Sequence, residues 1–208
     1  MFGLAGFFLV ATLRIAIIYF LISAVVAATT DVRFAGLGVA VRNLVLDGIL
    51  IFLIPLAYQR KKNRASYPVF FDFIYLSIFG LDQTGSFFNL YNSIPRFDLV
   101  AHFHGTAAVT ALFALFFIVR KWPRLNWFEI SLMAIGAATI IHVILEGQEY
   151  YTDILGGTRN VRGIGDAVND LVAGLAGSVV YVGILVLALK NMAQAARQAF
   201  LKPLSIFA

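Results

Sequence analysis

The chain has 208 residues, 61% of them hydrophobic and only 13% charged, with 16 Lys and Arg against 11 Asp and Glu; its mean hydropathy is +0.87. A soluble domain averages about 45–50% apolar and about 25% charged residues, so the composition excludes a water-soluble globular protein and predicts an all-α, polytopic membrane helical bundle. The absence of cysteine excludes disulfides, thiolate metal sites, iron–sulfur clusters and cysteine nucleophiles, and the basic clusters lie between apolar segments, where membrane topology explains them better than a nucleic-acid partner.

About 20 apolar residues cross a bilayer core. On that criterion the sequence predicts six spans, roughly 3–28, 39–58, 69–91, 98–119, 127–147 and 167–189, in a single transmembrane domain over 1–208. The first ends in small residues at 24–29, as a signal peptide would. Its apolar stretch is too long for one, Arg14 interrupts it and no basic segment precedes it, so we expect a retained helix. Arg14 is expected to snorkel toward the headgroups, with a deep counter-ion role as the alternative. The second span carries Asp47 and ends at Arg60-Lys61-Lys62-Asn63-Arg64, before Tyr67-Pro68. The third has Asp72 near its start and Asp82-Gln83 further along, with Gly80 and Gly85 as candidate kink points. Asp47 and Asp82-Gln83 are expected either to line a polar cavity or to pair with neighbouring helices.

Asn92-Ser93-Ile94-Pro95 separates the third span from the fourth, which opens on Asp98, His102 and His104. Arg120-Lys121-Trp122-Pro123-Arg124 precedes the fifth, which runs from Glu129 to a polar end at His142, Glu146 and Glu149. A long joint over 150–166 is rich in Gly and polar residues and holds Arg159 and Arg162. The sixth span begins at Asp166 and Asp170, and its small residues Ala173, Gly174, Ala176, Gly177 and Ser178 predict close helix packing. Phe70, Phe71, Phe87, Phe88, Tyr91, Tyr150 and Tyr151 read as core and interfacial aromatics.

Lys and Arg accumulate in cytoplasmic loops. Four basic residues follow span two, three follow span four, and Lys190, Arg197 and Lys202 follow span six. These segments share a side only when an even number of helices separates them, which predicts an N-in, C-in topology. On the outer side Arg33, Arg42, Arg96, Arg159 and Arg162 are spread singly.

In that topology Asp72 and Glu129 lie near cytoplasmic ends, while the other nine acids and all three histidines fall in the outer half. Residues three or four apart share a helix face. Asp98 with His102, His142 with Glu146 and Glu149, and Asp166 with Asp170 therefore form three stripes that converge at one depth, a carboxylate–imidazole set suited to a divalent metal ion. His104 is turned about 200° from His102 at 100° per residue and is not expected to share its ion. Singly, Asp98, Asp166 and Asp170 read as helix caps. Glu146 and Glu149 end a helix, where that explanation fails. Pairing with Arg96, Arg159 or Arg162 is the metal-free alternative for the whole cluster.

Phe97-Asp98-Leu99-Val100-Ala101-His102-Phe103 resembles the D-x-x-x-H-F signature of the YjdF family, six-helix bacterial inner-membrane proteins without a settled activity. Glu146-Gly147-Gln148-Glu149-Tyr150 is similar to its E-x-x-E-aromatic motif, and Ile154-Leu155-Gly156 with Asp166-Ala167-Val168-Asn169-Asp170 to its L-G-T loop and D-x-x-x-D. A fainter likeness extends to VanZ-like proteins. The family pattern carries a further acid four positions before Asp166, where this chain has Arg162-Gly163, and the loop here is longer. The resemblance implies architecture, an inner-membrane location and a polar site, without a reaction.

Two functional readings follow. In the first, a divalent metal ion is held by Asp98, His102, His142, Asp166 and Asp170, with Glu146 or Glu149 as general base. Arg159 and Arg162 then meet an anionic group of a lipid-like substrate, for metal-assisted hydrolysis or transfer at the outer leaflet. In the second, the protein is a non-catalytic accessory subunit of a larger membrane complex and the cluster only fixes helices. Membrane lipids and other membrane-protein subunits are the expected partners.

Overall fold

The computed structural model describes residues 4–29, 47–61, 66–122, 124–156 and 163–207. Among them the structure is helical, with no strand. In chain order the helices are α1 (Leu4–Thr29), α2 (Leu53–Lys61), α3 (Val69–Phe87), the short α4 (Leu90–Ser93), α5 (Phe97–Lys121), α6 (Trp127–Gly156), α7 (Ile164–Asn191) and α8 (Gln194–Leu201), closed by a 3-10 segment over Lys202–Phe207.

Among the described residues four helical stretches are long and apolar enough to cross a membrane: Leu4–Val26, Phe97–Lys121, Trp127–Leu155 and Ile164–Asn191. Residues 39–46 of the second expected span lie outside the described residues. The rest of that span is a helical turn at 47–50, a turn at 51–52 and α2. The third expected span is the 19-residue α3, diluted by Asp72, Asp82, Gln83 and Thr84. It ends where Asn89 takes a left-handed φ of 56°, a conformation asparagine tolerates better than most residues. Its glycines do not kink it. A Cβ on Gly85 would lie 2.4 Å from the Phe97 ring and one on Gly80 3.0 Å from Leu13, so both admit a close neighbour to an unbroken helix.

The helix ends follow local chemistry. Asp98 stands in the first turn of α5 and Arg120 and Lys121 in its last, each complementing the helix dipole. A reciprocal cap starts α6: the Glu129 amide donates to Asn126 Oδ1 (3.0 Å) and the Asn126 amide to Glu129 Oε2 (2.7 Å). α6 then continues to Gly156, 30 residues in all, so Tyr150, Tyr151 and Asp153 are helical rather than part of the expected joint. Gly163, at φ 129°, turns the chain into α7, a conformation that glycine adopts at least cost.

The chain divides into two compact units, Met1–Phe97 with Gln198–Ala208, and Asp98–Arg197. In the first, Val10, Ile17 and Leu21 of α1 are buried with Ile51 and with Leu76 of α3. Arg14 does not snorkel: its guanidinium reaches both oxygens of Asp72 at 2.7 and 2.8 Å and donates from Nε to the Ile51 carbonyl at 3.0 Å. Tyr67 adds a hydroxyl hydrogen bond to the same carboxylate. Asp47 and Asp82-Gln83 pair with their neighbours: Gln83 Nε2 donates to Asp47 Oδ2 at 2.6 Å, and the Tyr91 hydroxyl to Asp82 at 2.8 Å. Phe70 and Phe71 take Phe200 and Phe207 of the chain's end against them.

The second unit is α5, α6 and α7. Its core is built from small residues, Ala107, Ala108, Ala111, Ala114, Ala134 and Ala138, with Leu115, Ile118, Ile130 and Leu189. Close approach is the reason. A Cβ on Gly177 would sit 2.1 Å from the Phe103 carbonyl oxygen, so α7 touches the backbone of α5 there, and the buried hydroxyls of Thr110 and Ser178 are hydrogen-bonded at 2.8 Å beside it. The outward faces carry large apolar side chains, among them Phe128, Leu132, Ile140 and Ile144 on α6 and Val172, Val179, Ile184 and Leu187 on α7. Contiguous exposed apolar surface of this kind suits a hydrocarbon solvent.

Candidate metal centre

Within the Asp98–Arg197 unit the polar faces of α5, α6 and α7 meet. His102 and Asp98 lie one turn apart on α5, His142 and Glu146 one turn apart on α6, and Asp170 lies on the second turn of α7. His142, Glu146 and Asp170 are buried, at 5%, 7% and 4% exposure. Burial removes Asp170 from the helix-cap explanation that its sequence position allows.

The donor atoms fall into two groups. In the first, His102 Nδ1 and His142 Nε2 are 2.9 Å apart, and Glu146 Oε1 is 3.3 Å from the former and 3.4 Å from the latter. Ligands on bonds of about 2.0–2.2 Å at tetrahedral or octahedral angles are separated by roughly 2.9–3.5 Å, so these edges have the lengths of a coordination polyhedron. Glu146 Oε1, although buried, makes no hydrogen bond. The ring nitrogens face it as co-ligands would rather than as aligned donors.

Both rings are held from behind. His142 Nδ1 lies 3.0 Å from Thr106 Oγ1, leaving Nε2 as the nitrogen turned to the group. His102 Nε2 lies 3.3 Å from Asp98 Oδ1 and 3.9 Å from Asp170 Oδ2, the second group. A metal-ligating histidine almost always has its other nitrogen on a carboxylate, hydroxyl or carbonyl, which fixes tautomer and ring orientation. Room for the His142 ring comes from Gly174: a Cβ there would fall 2.3 Å from Nδ1 and 2.4 Å from Cε1.

Of the residues expected from sequence, Asp98, His102, His142, Glu146 and Asp170 come together. Glu149 and Asp166 lie one turn further along α6 and one turn earlier on α7, half-buried, and belong to neither group. Arg159 and Arg162 lie outside the described residues. Arg96 is exposed and belongs to the other unit. His104 faces Tyr181, its Nδ1 3.1 Å from the hydroxyl, away from the cluster as its spacing requires. Thr106 and Gly174 were not singled out as site residues. Thr106 could have been, since it continues the Asp98–His102 face by one more turn; nothing in the sequence distinguishes Gly174 from the packing glycine Gly177.

A family model covers residues 8–191, and its description is Predicted membrane protein (DUF2238). The chain belongs to that family. Membership in DUF2238 agrees with the resemblance of the Asp98–His102, Glu146–Glu149 and Asp166–Asp170 motifs to YjdF-like proteins and with the apolar helices of this DUF2238 member. No curated protein and no solved structure matches the chain.

Proposed function

We propose that this protein is an integral membrane metal-binding protein whose divalent ion is held by His102 Nδ1, His142 Nε2 and Glu146. The observation that carries the reading is the pair of rings turned inward by Thr106 and Asp98 onto a buried carboxylate oxygen without a hydrogen bond. Two imidazoles and one carboxylate are a borderline donor set, suited to Zn2+ or Fe2+ over Mg2+ or Ca2+. In this arrangement Glu146, a general-base candidate from sequence, becomes a ligand, and the base role passes to Glu149. An ion with three protein ligands supplies Lewis acidity and activates water, so the reaction class we propose is hydrolysis or transfer on a lipid-like substrate. Arg159 and Arg162 receive its anionic group.

The depth of the site supports a substrate of that kind. Glu146 lies about 29 Å along α6 from Trp127 at 1.5 Å per residue, close to the hydrocarbon thickness of about 30 Å, where headgroups and water begin. We further propose six spans with both termini cytoplasmic in a bacterial inner membrane, with the site facing outward, and membrane lipids or other membrane subunits as partners. The test is elemental analysis of the full chain purified in detergent, with melting measured against added Zn2+ and against chelator. Bound metal, lost in His102→Ala, is the expected result. Chelator-insensitive melting together with no bound metal would overturn the reading in favour of a structural cluster in an accessory subunit.

A further inference from the structure

The surroundings of Asp98 and Asp170 ask for more than the orientation of a ring. The Asp170 side chain is only 6% exposed, its Oδ1 is buried without a hydrogen-bond partner, and its Oδ2 stands 3.9 Å from His102 Nε2, too far to accept a hydrogen bond. Asp98 Oδ1, at 3.3 Å from the same nitrogen, is also longer than the 2.7–2.9 Å of a charge-assisted hydrogen bond. A buried carboxylate oxygen with no donor costs free energy and calls for an explanation. Among the described residues, the ion-pair contacts of Asp98, Glu146 and Asp170 are all with the two imidazoles, and no lysine or arginine offsets them.

We propose that Asp98, Asp170 and His102 Nε2 form a second cation site, so that the His102 ring bridges two divalent ions, one on each nitrogen. The proposal rests on the first ion being held by His102, His142 and Glu146. The donor atoms of this second group all lie within 4.8 Å of one another, and a cation between them supplies the missing partner of Asp170. Loading replaces the Nε2 proton, which leaves to solvent; nothing is oxidised or reduced. The charge then closes. Three carboxylates and one imidazolate offset two divalent cations in full, whereas among the described residues a single ion leaves these largely buried ligands with a net negative charge, which burial makes expensive.

The experiment is equilibrium dialysis of the full chain in detergent against Zn2+, with bound zinc per chain read by elemental analysis and helical content checked by circular dichroism. The expected result is two ions for the wild type, one for Asp170→Asn, one for His142→Ala and none for His102→Ala. Should Asp170→Asn lose its helical content, Asp98→Asn, at the more exposed edge, gives the same readout. One ion in the wild type that persists in both Asp170→Asn and Asp98→Asn overturns the second site and leaves the first standing. One ion that survives His142→Ala but not Asp170→Asn overturns the first site instead. No bound ion overturns both.

Discussion

Gly174→Ala isolates the site from the fold around it. The added Cβ would meet His142 Nδ1 at 2.3 Å and Thr106 Oγ1 at 2.7 Å, about 1 Å inside ordinary van der Waals separation. His142 is 5% exposed and has little free space to turn into, so the ring moves off Thr106 and takes Nε2 out of the group formed with His102 and Glu146. Losing an orienting contact of this kind weakens metal affinity by about 10–100-fold. Binding to the folded state stabilises it by about 2.7 kcal/mol when the ion is at 100 times its dissociation constant. A 100-fold loss at the same ion concentration leaves about 0.4 kcal/mol, so most of the zinc-dependent rise in melting temperature should disappear. The assay is melting in detergent with Zn2+ and with chelator for the wild type, Gly174→Ala and Gly183→Ala, the last on the same helix with nothing within 4 Å of its added Cβ. An undiminished zinc-dependent rise in Gly174→Ala would refute the reasoning.

Thr106→Val keeps the shape of the side chain and removes the group that His142 Nδ1 faces at 3.0 Å; zinc affinity by titration calorimetry should fall about 10–100-fold, and an unchanged affinity would mean that the hydroxyl does not set the ring. Arg14→Met leaves Asp72, fully buried, without its cation and should cost about 3–5 kcal/mol in denaturant unfolding, with much of the loss recovered in Arg14→Met/Asp72→Leu; a single variant as stable as the wild type would show that the ion pair does not hold the unit together. Gly177→Ala should lower stability equally with and without Zn2+, because its Cβ meets the backbone of Phe103 rather than a ligand; a loss confined to the zinc-loaded protein would contradict that. For topology, Lys62→Cys and Thr158→Cys should be labelled from opposite sides of the membrane by an impermeant thiol reagent, and labelling from one side would sink the N-in, C-in arrangement.

The parts of the fold legible in the sequence are those governed by local rules. Apolar runs and basic joints gave α1, α5, α6 and α7 within a few residues at most ends, because a bilayer fixes helix length and burial does not compete. The end of α6 lies about two turns beyond the expected one: Tyr150 to Gly156 are polar enough to read as a loop, yet a helix can continue there with its backbone hydrogen bonds intact. At the site, i, i+4 spacing placed Asp98 beside His102 and His142 beside Glu146, since helix geometry alone decides those pairs. Which nitrogen faces which acid was not legible. That depends on Thr106 and on the space at Gly174, both tertiary facts. Arg14 takes the alternative role, a deep counter-ion, for a related reason: snorkelling is the default for a lone arginine, and its partner is 58 residues away in the chain.

That separation has a consequence for how the protein is made. Arg14 stands near the middle of the 26-residue α1, where an arginine disfavours insertion by about 2.5–3.5 kcal/mol. When α1 leaves the ribosome, the carboxylate that neutralises it has not yet been synthesised. An α1 that enters the bilayer ahead of α3 therefore carries an arginine not yet paired with Asp72, and the ion pair forms only once α3 arrives. Assembly of this unit on that order is a two-step commitment, in which α3 locks α1 through the Arg14–Asp72 pair.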